Sequence, residues 1–391
     1  MVIHARHYVL LLLGLGMIPL LLVLALNLLL SAGEGGGEKA RLASHWQQTT
    51  RGVTYAPPLS MTRPFKALRL KDRLPEINTV VLGSSTMMGL RSNALPPALP
   101  AYNFAQTGHG LMAVIGEAEW LLHHAATVKY AVIPLDWSLG FVYAPGEPPT
   151  MDNLFAGSAV GATADAAVGE VGSPIGLGAK FQDALSLPRV KNLLRILNDA
   201  LRADSPATAF RQYFLQTAGD DYRCADGTPA KDFDTIFRGT CTGFRWDGSA
   251  TFGNLEPVGE REARALVARS VVPSAKYATV LIASGGSPNP AMLSRLSALA
   301  RGFERKGGQA IFLLPPLLPG MERALLEADA TGKHLRRTKQ ALADWRQREN
   351  LRVIDAGKSE DYGCVATEFV DEHHALPACY AKIFARADAL L

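Results

Sequence analysis

From residue 79 onward, short apolar runs alternate with longer segments of helical periodicity, and this alternation limits the fold more than any other feature. The predicted strands are residues 79–82, 101–110, 129–137, 277–284, 309–316 and 351–357. The predicted helices begin near residue 87 and cover 112–127, 290–306, 322–349 and 377–391. Continuous apolar runs are typical of strands that are buried on both faces. The alternation therefore predicts an α/β fold, with a central parallel sheet covered by helices on both faces in three layers.

Residues 138–276 interrupt this pattern. They combine Gly/Ala/Ser-rich stretches, two predicted helices (about 189–202 and 206–217) and an irregular part that contains cysteine. We interpret them as a cap inserted into one domain that is formed by residues 79–137 and 277–391. Residues 32–78 read as a flexible tether followed by a connector that packs on the domain.

The amino terminus carries a long uncharged segment, residues 8–31. As a helix it would be about 36 Å long, enough to cross a bilayer core of about 30 Å. An uncleaved anchor is the favoured interpretation, and a signal peptide cleaved near residues 31–33 is the alternative. Arg6 lies before the segment, which favours residues 1–7 in the cytoplasm. We therefore expect a single-pass protein of the bacterial inner membrane, with its main domain in the periplasm.

Composition excludes several classes of protein. Apolar residues make up 48% of the 391-residue chain and charged residues 19%, which is typical of a folded domain and not of a disordered chain. The formal net charge of +4 is too small to indicate nucleic acid as a partner.

Ser85 is the first candidate catalytic residue. It follows an apolar strand and Gly83, at a turn where a helix is expected to begin. A side chain at this position lies at the carboxyl edge of the sheet, where ligands bind in open α/β folds. Backbone N–H groups at the start of a helix can also stabilise an oxyanion. The alternative is that Ser84 and Ser85 only cap the helix.

The second candidate group lies near the carboxyl end, where Asp371 and His374 precede a helix that begins at Pro377. A serine nucleophile needs a base, and the base needs an acceptor that orients it. A local Asp-x-x-His turn can supply both, although a polar loop with a capping Asp fits the same residues. His373 is the competing base, one residue closer to the Asp.

These motifs together resemble the SGNH/GDSL hydrolase superfamily. Residues 83–85 (GSS) resemble the family's Gly-Asp-Ser block, with Ser84 in place of Asp. Residues 103–108 (NFAQTG) fit the second block, and residues 371–380 (DEHHALPACY) fit the last, with Cys in place of Gly at position 379. The third block, Gly-x-Asn-Asp, is missing, and the chain reads DW at residues 136–137.

The resemblance implies an SGNH-hydrolase-like (flavodoxin-like) three-layer fold. It also implies Ser85 as nucleophile, His374 as general base and Asp371 as the residue that orients the base. The backbone N–H groups of Ser85 and Gly108 would form the oxyanion hole. Further residues expected to line the site are Ser84, Asn103, His109 and Asp136.

The departures from the family pattern resemble membrane-anchored periplasmic SGNH-like proteins that accompany membrane-bound O-acyltransferases. Such proteins help to acylate exported polysaccharides or wall polymers. In the alginate type the Asp–His pair precedes the Ser, whereas here it follows. The resemblance implies O-acetylation of an exported polysaccharide through an acyl-Ser85 intermediate. The expected partners are an acylated glycan, a membrane-bound O-acyltransferase and polysaccharide synthesis or export proteins, without a cofactor.

Two alternatives stay open at this point. If water accepts the acyl group, the protein is a carbohydrate O-acyl esterase. The missing third block favours a non-catalytic polysaccharide-binding or assembly subunit on the same fold.

The chain contains four cysteines, and an even number permits two disulfides in an oxidising compartment. We favour the two local pairs, Cys224–Cys241 and Cys364–Cys379, among the three possible connectivities. The second pair brackets Asp371 and His374 and would hold their turn in place. A metal site is not expected, because no Cys-x-x-Cys motif or spaced His cluster occurs.

Overall fold

The computed structural model describes seven stretches of the chain, together with a few isolated positions. These are residues 36–55, 63–107, 110–136, 141–142, 221–233, 241–253 and 255–387, with 198, 201–202 and 206–207. The predicted anchor at 8–31 and most of the predicted cap lie outside these residues. Among the helices of the described stretches, none combines the length and the apolar character that a membrane span requires.

Five strands form an all-parallel sheet, which confirms the predicted α/β class and is compatible with a three-layer fold. The eight strands of the described residues are β1 (Val53–Tyr55), β2 (Thr79–Val81), β3 (Ala101–Asn103), β4 (Tyr130–Pro134), β5 (Asp221–Arg223), β6 (Pro229–Asp232), β7 (Gln309–Leu314) and β8 (Arg352–Asp355). The parallel sheet has the order β3-β2-β4-β7-β8. Its central strands are almost fully buried, as their continuous apolar sequences predict.

Helices connect the parallel strands and cover the sheet. They are α1 (Gly36–Thr50), α2 (Arg63–Arg73), α3 (Leu111–His124), α4 (Glu260–Ser270), α5 (Lys276–Ser284), α6 (Pro290–Arg305), α7 (Met321–Glu327), α8 (Gly332–Glu349) and α9 (Pro377–Ala387). Helix α3 packs on α6. Trp345 of α8 donates a hydrogen bond to Ser297 of α6 at 2.9 Å and packs on Phe312 of β7.

The predicted strand at 277–284 is wrong, because these residues form helix α5. Its buried residues are Tyr277, Ala278, Leu281 and Ser284, which are spaced as on one face of a helix. Gly285 follows in the left-handed conformation, with φ +60°, and closes the helix. A short apolar run does not by itself distinguish a strand from a helix.

The helix predicted over 322–349 is two helices, α7 and α8. The chain leaves the helical conformation at Ala328, and Thr331 donates a hydrogen bond from its hydroxyl to the Leu325 carbonyl at 2.6 Å. Gly332 begins α8, where a Cβ would lie 2.2 Å from the Leu326 carbonyl oxygen. The close approach of the two helices therefore requires glycine at the start of α8.

The connector and the cap meet in a second, smaller sheet with the order β1-β6-β5. Strand β1 pairs with β6 in parallel, and β5 pairs with β6 in antiparallel. The Cys224–Cys241 disulfide lies beside this sheet and confirms the first predicted pair. Phe244 of the cap and Phe65 of α2 are buried in the same hydrophobic core as the large sheet. The described part of the cap therefore shares the core of the main domain.

The strand order fixes where a ligand site would be found. Strand β2 pairs with β3 on one side and with β4 on the other. The connection after β2 runs to β3 on one side and the connection after β4 runs to β7 on the other, which creates a crevice between the carboxyl ends of β2 and β4. Ligands bind in such crevices in open α/β sheets.

Candidate active site

Ser85 lies at this crevice, after a turn that requires glycine. Gly83 has a φ of +130°, a conformation that residues with a Cβ rarely adopt. A Cβ at this position would also lie 2.6 Å from Pro134 Cγ. The Gly83 carbonyl accepts a hydrogen bond from the Gln106 N–H at 2.8 Å, which ties the turn to the loop after β3. Ser85 itself is half-buried.

The helix expected from residue 87 does not form. Residues Ser85–Met87 make a single 3₁₀ turn, and the chain then continues in turns. The Asn103 amide donates hydrogen bonds to the Met87 carbonyl at 2.7 Å and to the Leu90 carbonyl at 2.8 Å. These bonds replace those of a regular helix. Ser85 therefore has the N–H groups of one turn beside it, without the dipole of a long helix.

Asn103 and Ser84, which were expected to line the site, are almost fully buried beside it. Asn103 is 1% exposed and holds the loop that follows Ser85. Ser84 is 2% exposed, and its hydroxyl accepts a hydrogen bond from the Thr86 N–H at 3.3 Å. Both side chains are directed into the protein because their polar atoms satisfy backbone groups of the loop.

Asp371 and His374 lie on a tight loop near the carboxyl end. Phe369 and Ala375 form an antiparallel bridge across the base of this loop, and the Val370 N–H donates to the His374 carbonyl at 3.1 Å. The Cys364–Cys379 disulfide encloses the loop and confirms the second predicted pair.

Close contacts hold this loop against the turn that carries Ser85. The buried Tyr380 hydroxyl donates a hydrogen bond to the Thr86 carbonyl. Gly89 packs so tightly that a Cβ there would lie 2.1 Å from the Ala375 carbonyl oxygen. Two segments that are far apart in the sequence are thereby fixed against each other.

Ser85, His374 and Asp371 form a continuous hydrogen-bonded row. His374 Nε2 lies 2.8 Å from Ser85 Oγ, and His374 Nδ1 lies 2.5 Å from Asp371 Oδ2. The other carboxylate oxygen, Oδ1, accepts hydrogen bonds from the N–H groups of His373 at 2.9 Å and His374 at 2.8 Å. Burial raises the pKa of Asp371, but the hydrogen bond and charge of His374 outweigh it, so its pKa lies well below the ordinary value.

The competing base, His373, does not make the bond to Ser85 in this row. Its Nδ1 lies 3.6 Å from Asp371 Oδ1 and from Glu372 Oε1, beyond hydrogen-bonding distance. Its ring packs against the His374 ring, with centroids 4.2 Å apart, and against Tyr277. His374 therefore faces the serine, and His373 lies behind it.

A small, mostly apolar cavity lies beside the row. It has room for about one water-sized molecule. Its walls include Thr86, Asp136, Tyr277 and His373. Asp136, which was expected to line the site, is thus close to the histidine pair.

Phe252, which belongs to the cap, is not among the site residues predicted from the sequence. Its ring centroid lies 6.2 Å from that of His374. Its φ is +52°, which is uncommon for a residue with a Cβ and occurs preferentially at functional sites. No pattern in the sequence around Phe252 predicts its contact with His374.

Two groups of side chains in the described residues bring potential metal-ligand atoms within 4.8 Å of one another. One contains Cys364 and Cys379, whose sulfur atoms are joined in the disulfide. The other contains Asp371, His373 and His374, of which Asp371 and His374 are already bonded to each other. Neither group thus offers a complete set of uncommitted ligands.

Gly108 and His109, two further predicted site residues, lie outside the described residues. Comparison of the chain with protein-family models, curated proteins and solved structures gave no match.

Proposed function

We propose that the chain is an SGNH-type enzyme that transfers an acyl group through a covalent acyl-Ser85 intermediate. The observation that carries the proposal is the row Ser85 Oγ–His374 Nε2–Asp371, with separations of 2.8 Å and 2.5 Å. This order of nucleophile, base and orienting carboxylate activates serine on several unrelated folds. The fold alone would not support an activity, because one fold hosts many functions.

In the proposed reaction, His374 carries its proton on Nδ1, where Asp371 accepts the hydrogen bond. Ser85 Oγ attacks the acyl carbonyl as Nε2 takes the hydroxyl proton. Collapse of the tetrahedral intermediate breaks the ester C–O bond, and Nε2 returns the proton to the leaving alcohol. A second hydroxyl then attacks the acyl-Ser85 ester with the same base, and the enzyme is regenerated.

The negative charge of the tetrahedral intermediate needs hydrogen-bond donors. The Ser85 N–H begins the 3₁₀ turn and has no acceptor within it. We assign this N–H and that of Gly108 to the oxyanion hole. One such donor contributes about 3 kcal/mol to stabilisation of the transition state.

The proposed acceptor is a hydroxyl of an exported polysaccharide, so the overall reaction is O-acetylation of a glycan. A membrane-bound O-acyltransferase is the proposed donor partner. Both disulfides support a location outside the cytoplasm, where disulfides form and persist. The proposed location is the periplasmic side of the inner membrane, with residues 8–31 as the anchor.

The full chain in detergent, assayed with p-nitrophenyl acetate, tests the acyl-enzyme proposal. We expect Ser85→Ala and His374→Ala to lower kcat by a factor of about 10⁴ or more, because these residues act as a unit. Intact-mass spectrometry should show one added acetyl group on the wild type and none on His374→Ala.

Exposed residues outside the site provide matched controls. Ser294→Ala on α6 and His45→Ala on α1 should retain the wild-type rate. His373→Ala distinguishes the two histidines, since it should retain far more activity than His374→Ala. Equal rates for the wild type, Ser85→Ala and His374→Ala would refute the nucleophile and the base and favour a non-catalytic subunit.

A second measurement separates transferase from esterase. An oligosaccharide acceptor is added to the same assay, and acetylated oligosaccharide is measured by mass spectrometry. A transferase should form this product at the expense of free acetate. Acetate alone, at every acceptor concentration, would show that water is the acceptor.

A further inference from the structure

A second pocket, of about 340 Å³, lies where the cap meets the loop that precedes β3. Its walls include three arginines, Arg51, Arg91 and Arg245, together with Trp246 and the Cys224–Cys241 disulfide. Pockets that bind small ligands typically occupy 300–1,000 Å³. The volume is therefore sufficient for a sugar unit.

Arginines crowd around the indole of Trp246. The guanidinium carbons of Arg51, Arg69 and Arg73 lie 5.2, 4.4 and 4.6 Å from its ring centroid. Each cation–π contact is favourable by itself. Arg69 and Arg73 are ion-paired with Asp72 and Glu76, at 3.1 and 3.2 Å, so within the described residues Arg51 contributes the positive charge of this group that no carboxylate pairs.

Two carboxylates line the pocket, and one of them, Asp226, accepts a hydrogen bond from the Thr228 N–H at 3.0 Å. Asp247 Oδ2 accepts hydrogen bonds from the N–H and hydroxyl of Ser92, at 3.0 and 3.2 Å. Its Oδ1 accepts from the N–H and hydroxyl of Ser249, at 3.1 and 2.6 Å. Arg91 Nε is 3.8 Å from Oδ2, which is an ion pair without a hydrogen bond. Asp247 thus holds the loop, and its single negative charge is shared between two arginines of the pocket, Arg91 and Arg245.

Several guanidinium donors are left without acceptors among the described residues. They are Arg91 Nε, and Nε and Nη2 of Arg69, whose side chain is 0% exposed. A buried charged donor without an acceptor is costly. Exposed Arg51 contacts the indole ring and extends the positive charge to the pocket's rim. Of these donors, Arg91 Nε belongs to the pocket wall, so an oxyanion in the pocket would accept from it and offset the repulsion among Arg51, Arg91 and Arg245.

We propose that this pocket binds an anionic sugar unit of the acceptor polymer. The carboxylate or phosphate of the sugar lies among Arg51, Arg91 and Arg245, and the ring lies against Trp246. Guanidinium groups match the planar geometry of carboxylates and phosphates and bind both through paired hydrogen bonds. The glycan nature of the ligand rests on the proposed function, whereas its charge follows from the arginines.

The pocket is close enough to Ser85 for one polymer chain to reach both. Residues 85 and 91 belong to the same loop, so their Cα atoms are at most about 20 Å apart. A polymer held in the pocket raises the effective concentration of neighbouring hydroxyls at Ser85. The arginines would therefore select which polymer is acetylated.

Calorimetric titration of the full-length Ser85→Ala chain in detergent tests binding without turnover. The probes are hexagalacturonate, glucose 1-phosphate and maltohexaose, which carry carboxylates, a phosphate and no charge. We expect at least one acidic probe to bind at least about tenfold more tightly than maltohexaose. Salt at 0.5 M should weaken the binding of that acidic probe. Arg51→Gln and Arg91→Gln should each weaken the same binding by about tenfold.

Arg323→Gln, an exposed arginine on α7, is the matched control and should bind as the parent does. Thermal unfolding of each variant shows whether it is folded. If Arg91→Gln does not fold, Arg51→Gln still tests the proposal, because Arg51 is exposed. Any of three results would overturn the proposal. Maltohexaose could bind as tightly as the acidic probes, or neither acidic probe could bind. The third such result is unchanged binding of the acidic probe by folded Arg51→Gln. Binding by the Ser85→Ala chain together with absent ester cleavage by the wild type would reject the enzyme and retain the anion site.

Discussion

Lys66 shows how one buried side chain supports the loops of the candidate site. It is 0% exposed, and its Nζ donates a hydrogen bond to the Ala105 carbonyl at 2.6 Å. The next residue, Gln106, donates its N–H to Gly83, so Lys66 lies directly behind the turn that carries Ser85. Burial lowers the pKa of Lys66 to about 7, although the charges of Asp247 and Glu117 act in the opposite direction.

This pKa predicts that stability depends on pH. Above about pH 7, folded Lys66 has lost the proton that the unfolded chain retains up to its ordinary pKa of 10.5. Unfolding therefore takes up a proton, and the free energy of unfolding rises with pH, by up to about 1.4 kcal/mol per unit. Below pH 7 both states are protonated and this contribution to the slope disappears. Lys66→Met should lack the rise, measured by urea unfolding between pH 6 and pH 9.

Lys71→Met provides the control, because Lys71 is exposed on the same helix. It should keep the wild-type slope. An unchanged slope in Lys66→Met would mean that Lys66 is charged in the folded protein throughout this range.

Residue by residue, the sequence indicates groups whose partners are local. Asp371 and His374 are three positions apart, and Ser85 follows a strand and a glycine turn, so short patterns suffice to select them. The burial of Asn103 and the contact of Phe252 with His374 depend on how distant segments pack. No local pattern encodes such packing.

At the scale of elements, the site depends on the contact between the turn after β2 and the loop before α9. This contact contains no space for a side chain at Gly89, since a Cβ would lie 2.1 Å from the Ala375 carbonyl oxygen. Ala375 follows His374 directly. The orientation of the histidine therefore depends on a glycine in another element.

Gly89→Ala should separate the two elements and thereby lengthen the distance from His374 to Ser85. We expect a loss of at least about 100-fold in p-nitrophenyl acetate hydrolysis, because misplacement of a catalytic group by about 1 Å can have this effect. The variant should also unfold at a lower temperature. The two readouts are measured on the same preparation.

Gly259→Ala is the matched control, since a Cβ at Gly259 meets nothing within 4 Å. It should leave both readouts at the wild-type level. Wild-type hydrolysis in Gly89→Ala would show that the packing at Ala375 does not set the position of His374.

The elements also show where prediction from sequence succeeds and fails. The strands at 309–314 and 352–355 were predicted because they are short, apolar and separated by long helical segments. Residues 277–284 are equally apolar and form a helix, because burial at helical spacing and Gly285 outweigh their composition. Turns that depend on tertiary contacts, such as the break at Ala328, are the hardest to predict from the local sequence.

At the scale of the whole molecule, one parallel sheet brings together residues from the two ends of the described chain. Ser85 and His374 are separated by 289 positions and share a hydrogen bond. The alternation of strands and helices predicts the sheet, and the strand order creates the crevice, but the order itself follows from packing. Each disulfide closes a local loop, one within the cap and one around the loop that carries Asp371 and His374.

The two disulfides predict the redox behaviour of the whole chain. Alkylation of the unfolded protein without reductant should label no cysteine, and after reduction it should label all four. Intact-mass spectrometry gives both counts. In the chain-entropy model, loops of 17 and 15 residues stabilise the folded state by about 3 kcal/mol each, so reduction should lower the free energy of unfolding by several kcal/mol. Four labelled cysteines in the unreduced full chain, extracted from the inner membrane with detergent, would contradict both the pairing and the proposed oxidising compartment.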